Sequence, residues 1–481
     1  MPIGNINNNV RMVASATIPR NLSAENLRRT AENLVRRNSM DESEAQRARE
    51  EAQMAQGMAA VALSSNPINQ RMQNVQQEEP AEQEARNILK QISARHYTAE
   101  NFNTSGLSDK LGDVFVDENL PDDIRQQALC KLGDIYFGQP QEFKDSGLST
   151  KLVAAFDKKQ PKNIRQQALS VLGMIYNGSP QEFNQSEFKG KLLAALDKNQ
   201  PENIRQQALT ALGRIYSNKP QKFDIQRDLK DKLGAALESQ SDDVKQKALT
   251  ALGRIYCGHP QEFKDSGFSK KLGAALEDPY DNIRKEALTA LGRIYSNKPQ
   301  EFNNSSLSTK LGAVLVDKNQ PENIQQKAFE ILSNIYKYHP KKFNQSELKD
   351  KLGDAFDKKQ PKNIRQQALC KLGMIYNGSP QEFKDSGLST KLVAAFDKKQ
   401  PKNIRQQALS VLGMIYNGSP QEFNQSEFKD KLGDALISKN PDIRKNALMI
   451  LHEIYGRQAG EASIYLYNDA LKRKYGFQKM R

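Results

Sequence analysis

Tryptophan is absent from this 481-residue chain, cysteine occurs three times, histidine four times, and aromatic residues make up only 7% of it. At 37% hydrophobic residues, the chain has less apolar material than one large globular core uses; it suffices for a thin core one or two helices deep. Cys130, Cys257 and Cys370 are too few for a disulfide framework. The longest clean apolar run, Met58 to Leu63, falls far short of the ~20 residues of a membrane span. Met12–Pro19 is too short and too polar for the apolar core of a secretory signal.

Two further absences divide the chain. No aromatic residue precedes Tyr97 and no lysine precedes Lys90. A segment without aromatics buries little surface, so residues 1–96 are expected to be a mostly disordered leader. Two amphipathic helices are expected within it, over 23–38 and 41–63. The first carries the tandem heptads AENLRRT and AENLVRR, which place Leu27 and Leu34 on one face. Charge divides at the same point. The net charge of +14 resides beyond residue 90, so an acidic or polyanionic partner is expected there.

What is abundant is repetition. Phe recurs at 102, 143, 183, 223, 263, 302, 343, 383 and 423, and Tyr in step at 136, 176, 216, 256, 295, 336, 376, 416 and 455. These mark nine units of about 40 residues over 97–456. Residues 140–189 and 380–429 are identical letter for letter, the mark of a copied gene segment. Within one unit Leu148, Leu152 and Phe156 form one helical stripe. Ile164, Ala168, Leu172 and Ile175, flanked by Leu169 and Tyr176, form another. Gln160-Pro161 and Asn177-Gly178-Ser179-Pro180 break the chain between stripes, and Asn163 is read as a helix N-cap. Each unit thus reads as a helical pair with one apolar side that must stack on its neighbours. A basic capping helix is expected within residues 457–481.

The run "NIRQQALTALGRIY" followed by "NKPQEF…SGL…KLGAAL" resembles an armadillo repeat or its relative the HEAT repeat. The resemblance covers about residues 98–456. It implies an all-α, right-handed αα superhelix, and solenoids of this type mostly bind other macromolecules. Armadillo units often carry a short extra helix. Only Pro-Gln-Glu-Phe stands in its place here, which leaves armadillo and HEAT both open.

Three repeated positions invite a functional reading. An Arg ladder (125, 165, 205, 284, 365, 405, 444) falls near the middle of the apolar stripe, so its stems are expected to pack between units. A mid-helix Gly (133, 173, 213, 253, 292, 373, 413) costs roughly 1 kcal/mol relative to Ala, which points to close helix approach. The position two before the repeated Tyr is different, because it varies: Asp134, Met174, Arg214, Arg254, Arg293, Asn334, Met374, Met414, Glu453. It points away from the stripe, toward the expected inner groove. In peptide-binding armadillo proteins the similar "LSNL" position carries an Asn ladder, and here only Asn334 matches. Arg214, Arg254 and Arg293, with Lys219 and Lys298 just beyond, are expected to form a basic stripe some ~20 Å long, given ~10 Å between stacked helices.

Enzymatic function is not expected, and neither is a cofactor. His452-Glu453 is the sole His-Glu pair where a di-iron hydroxylase of this type needs several. Cys130 and Cys370 sit at equivalent places, and no glycine-rich phosphate loop occurs. The sequence reading is an interaction scaffold whose groove binds an acidic protein segment, with a nucleic-acid-binding solenoid as the alternative. The leader MPIGNINNNVRMVASATIPRNLSA has no acid before Glu25. It resembles the leader of a bacterial type III secreted effector, which implies delivery into a host cell and an export chaperone on residues 23–63.

Overall fold

Each repeat folds as three helices, not the expected two. In the computed structural model, which describes residues 80–475, unit 3 consists of short helix Pro180–Asn184, middle helix Phe188–Ala195 and long helix Glu202–Ile215. The short helix arises from the Pro-Gln-Glu-Phe run that the sequence left ambiguous. Proline suits a first helical turn, where its fixed φ is already helical and its missing N–H would have had no partner. Phe183 then anchors the helix, with its side chain wholly buried. The short helix stands where the armadillo resemblance leads one to expect an extra helix. No strand occurs among the described residues, and from Ala85 onward they form one compact unit.

The long helices are Asp122–Ile135, Lys162–Ile175, Glu202–Ile215, Asp242–Ile255, Asp281–Ile294, Glu322–Tyr336, Lys362–Ile375, Lys402–Ile415 and Pro441–Tyr455. Each packs on the next, so the array is a solenoid whose core runs along its length. The expected stripes are buried: Ile164, Ala168, Leu169, Leu172 and Ile175 in one unit, and their counterparts in the others. One detail differs. Pro161 and Pro201, in extended conformation, are the N-cap residues, and the helix begins at the next residue. Asn163 therefore lies inside the first turn, where its amide donates to Asp122 of the preceding unit at 3.0 Å.

Phe and Tyr form an edge-to-face chain through the array. Phe183, Tyr216, Phe223, Tyr256 and Phe263 follow one another with ring centroids 5.3–6.3 Å apart, an arrangement aromatic quadrupoles favour. Each Tyr hydroxyl needs a partner when buried. Tyr216 donates to Asn184, Tyr256 to Asp224 and Tyr376 to Asn344. Asn103, Asn303 and Asn344 in turn donate to a carbonyl of the next unit. Burial pushes the Tyr136 phenol up to about 12 and raises Tyr216, Tyr256, Tyr336 and Tyr376 further.

Most turns after the long helices use a left-handed residue. Gly138, Gly178, Gly258, Gly378 and Gly418 supply it, and Asn218 and Asn297 take the same conformation at φ 56° and 55°. The turn amide reaches across to the next long helix. Gly178 donates to the Arg214 carbonyl, Asn218 to that of Arg254 and Gly258 to that of Arg293.

At the two ends the sequence reading needs one correction. Residues 80–93, placed within the leader, form helix Pro80–Ser93, which buries Ala85, Leu89 and Ile92. A period-3–4 apolar pattern suffices for this despite the lack of aromatics. The helices expected over 23–38 and 41–63 lie outside the described residues. At the other end Ala459–Tyr475 is helical, over the residues where a capping helix is expected. Leu466 and Ala470 are buried there, and Arg473 pairs with Asp430 at 2.6 Å.

Candidate partner-binding groove

The long helices expose one stripe. In unit 3 Asn203, Gln207, Thr210, Arg214 and Ser217 are half-buried, whereas Ile204, Ala208, Ala211, Leu212 and Ile215 are buried. Spacing of three and four residues puts the first set on one face. The stacked helices repeat that face along the array, where the inner groove is expected from the sequence.

Arg214, Arg254 and Arg293 occupy this face in consecutive units. They are half-buried rather than freely exposed. Each stem lies back on the glycine of the preceding long helix. The Cδ atoms of Arg214, Arg254 and Arg293 come within 3.4–3.5 Å of where a Cβ would stand on Gly173, Gly213 and Gly253. No carboxylate among the described residues forms an ion pair with any of the three, although Lys230, Lys232, Lys245 and Lys271 of these units are ion-paired. One terminal nitrogen of Arg214 and one of Arg293 is buried without a hydrogen-bond partner. Burial first, then the charges of Arg214 and Arg293, hold the Arg254 guanidinium below its ordinary basicity, with Glu286 opposing. Glu286 is itself engaged, accepting the Thr250 hydroxyl at 2.7 Å.

Lys219 and Lys298 are exposed at the start of the short helices Pro220–Asp224 and Pro299–Asn303, along the rim of this stretch. His259 holds the equivalent place between them, its Nδ1 2.7 Å from the Cys257 carbonyl. Asn334 is exposed on the next long helix, in register with the arginines. A row absent from the sequence reading lies one turn earlier: Thr210, Thr250 and Thr289, each donating to a carbonyl four residues back. The equivalent residues elsewhere are Cys130, Ser170, Glu330, Cys370, Ser410 and Met449. Comparing units column by column would have found this row, because threonine is confined to the three arginine units.

The other Arg ladder is structural. Arg125 is 1% exposed. Its Nε donates to the Phe115 carbonyl at 3.2 Å, and a terminal nitrogen donates to Gln160 of the next unit. Arg365 repeats this with Phe356 and Gln400, and Arg284 and Arg444 reach the carbonyls of Asp278 and Ser438. Where Gln325 replaces arginine it still donates to the Asp317 carbonyl, and Lys245 pairs with Asp278 at 2.8 Å. In these six units the position ties the long helix to the end of a middle helix whether arginine, glutamine or lysine is present, whereas the Nε atoms of Arg165 and Arg405 are buried without a hydrogen-bond partner.

No helix among the described residues is long and apolar enough to cross a membrane. No group of three or more His, Cys, Asp or Glu among them is placed to hold a metal ion.

A family model described as sister chromatid cohesion protein PDS5 matches residues 192–358. No curated protein matches the chain. Among solved structures, an engineered protein is 17% identical with a TM-score of 0.42, over 78% of this chain and 94% of that one. A designed armadillo repeat protein in complex with the peptide (KR)4 is 22% identical with a TM-score of 0.36, over 47% of this chain and 98% of that one. A second designed armadillo repeat protein gives 21% and 0.35 over 47% and 98%. The chain's own helix order and stacking make it an all-α solenoid of armadillo/HEAT-like repeats.

Proposed function

We propose that this protein is a non-enzymatic interaction scaffold that binds an acidic protein segment along units 3 to 5, through Arg214, Arg254 and Arg293. Lys219 and Lys298 extend the site at the rim and Asn334 at its far end. The observation that carries this reading is three arginines in register with no carboxylate partner among the described residues. A guanidinium offers two parallel donors to a carboxylate, and a row of them suits a segment bearing several. The alternative, a nucleic acid, is disfavoured because threonines and Glu286 flank the arginines, and among the described residues no aromatic side chain shares the arginine face of units 3 to 5 for bases to stack on. The Tyr ladder is buried.

The test compares Arg214→Glu, Arg254→Glu and Arg293→Glu combined with the same reversal at Arg165, Arg205 and Arg284. Affinity for a ten-residue glutamate peptide and melting temperature are measured for both. The groove variant should lose binding and keep its melting temperature, and the ladder variant should lose melting temperature. Intact binding by the groove variant sinks the site. Tighter binding of a DNA duplex than of the peptide, with a steep loss between ~50 and ~200 mM salt, favours the alternative.

The division into a leader over 1–96, an array over 97–456 and a cap over 457–481 belongs to the same proposal, with the leader's boundary overlapping helix Pro80–Ser93. So does the reading of the acid-free leader as a type III export signal, with a chaperone on residues 23–63 and delivery into a host cell. Deleting residues 2–20 should abolish export through such a system. Unchanged export refutes it.

A further inference from the structure

The groove arginines do not vary alone. Three residues before each, on the buried flank of the helix that meets the preceding unit, stands Ala211, Ala251 or Ala290. In the six other units that place holds Lys131, Val171, Ile331, Lys371, Val411 and Ile450, and none of those units has arginine in the groove. The pairing of Ala with Arg is complete across nine units.

The structure gives a physical reason. This alanine is the contact between one long helix and the mid-helix glycine of the unit before. A Cβ built on Gly173, Gly213 or Gly253 would lie 2.8–2.9 Å from the Cα of Ala211, Ala251 or Ala290. Backbone meets backbone only where both residues are this small. At the other junctions the nearest atom is in a side chain: Met174 against Gly133, Ile331 against Gly292, Met414 against Gly373, Glu453 against Gly413. Helix spacing follows the side chains at the contact, within about 8–10 Å, so the three Gly–Ala junctions sit at its short end. The arginine stem then lies along the exposed edge of the same glycine.

We infer that Ala211, Ala251 and Ala290, with Gly173, Gly213 and Gly253, are positioning residues for the arginine row: they draw three long helices together, bring the guanidinium groups close, and make the site selective for a segment with closely spaced carboxylates. This rests on the proposed binding of an acidic segment. It accounts for the mutual effect of the three charges on Arg254. It also explains why Asn334 differs in kind, because its helix meets Gly292 through Ile331.

The test holds charge fixed. Ala251→Val leaves every arginine in place and installs the residue that units 2 and 8 carry as Val171 and Val411. Binding of the ten-residue glutamate peptide should weaken by about tenfold, with a lower melting temperature from the methyls added to the junction but a folded array at the temperature of the binding measurement. The converse variant adds a rung. Met174→Arg together with Val171→Ala should strengthen peptide binding by about threefold or more, whereas Met174→Arg alone, with the same net charge, should gain clearly less. A second peptide of equal charge, with its glutamates separated by four serines each, should discriminate the parent from Ala251→Val far less than the dense one. Unchanged dense-peptide binding by Ala251→Val, or equal gains from Met174→Arg with and without Val171→Ala, overturns the inference. Should Ala251→Val fold poorly, the added-rung pair decides. A parent array insensitive to the Arg→Glu reversal fails the binding proposal itself, whereas sensitivity to that reversal with indifference to the alanines fails only this inference.

Discussion

Replacing Arg214, Arg254 and Arg293 together by methionine should make the array more stable while removing its binding site. Methionine is the native residue at this position in three other units, where Met174 and Met414 rest against Gly133 and Gly373, so the change fits the local packing. Two unit charges ~9 Å apart at an effective dielectric constant of about 20 repel by about 2 kcal/mol. Screening over a Debye length of ~8 Å brings each of the two neighbouring pairs below about 1 kcal/mol at physiological salt. The buried, unpartnered nitrogens of Arg214 and Arg293 add a desolvation cost on the order of 1–3 kcal/mol between them, discounted because the rest of each guanidinium is wet. The triple variant should therefore gain about 1–3 kcal/mol, read as a rise of a few degrees in the first melting transition. The gain should shrink as salt is raised from ~20 to ~500 mM, since part of it is repulsion. A lower melting temperature in the methionine variant at both salts would refute the reasoning: the guanidinium groups would then be anchors of the fold, not groups waiting for an anion.

Two other outcomes follow from the packing. Gly213→Ala should destabilise by about 1–3 kcal/mol although alanine is the better helix former, because its Cβ would stand 2.8 Å from the Ala251 Cα; Gly190→Ala, where nothing lies within 4 Å, should instead stabilise by about 0.5–1 kcal/mol. Paired melting curves check both. The buried phenols have pKa values raised above the unfolded value of about 10, so the folded state holds protons that the unfolded state gives up. Their contribution is complete below pH ~10 and is lost as pH rises through the folded values, beginning near 12 for Tyr136. Melting temperature should fall steeply above pH 10, and less steeply in Tyr216→Phe/Tyr256→Phe, with circular dichroism at 222 nm as the readout.

The sequence carried the repeat, its period, the buried stripes and the structural role of the Arg ladder, because each depends on helical geometry applied to residues three and four apart. It carried the placement of Arg214, Arg254 and Arg293 on one repeated helix face for the same reason. It did not carry the third helix of each unit. Pro180–Asn184 is barely more than one turn, too short for any periodicity, and only the anchoring of Phe183 keeps it helical. Helix Pro80–Ser93 was hidden by a compositional argument: lack of aromatics limits core size, not helix formation. The half-burial of Arg214 was equally out of reach, since it depends on how closely Gly173 lets the next helix approach. That distance is a property of two units, and the periodicity of one unit is silent on it.

Six of the turn amides point the same way along the array. Gly138 donates to Met174, Gly178 to Arg214, Asn218 to Arg254 and Gly418 to Glu453, always from one unit to the next; Asn103 and Asn344 do likewise from their side chains, and Arg125 and Arg365 reach forward to Gln160 and Gln400. The solenoid thus has a polarity at its cut ends. Trimming units from the C-terminal side strands donors: a turn N–H, an asparagine amide and a guanidinium. Trimming from the N-terminal side strands the acceptors of those bonds, which tolerate a missing partner more readily, and frees backward-reaching side-chain donors such as Lys151 and Asn163, which can turn to water. Fragments that retain Ala459–Tyr475 and lose early units should hold together better than fragments of equal length cut the other way. The unit nearest a C-terminal cut is where unravelling starts.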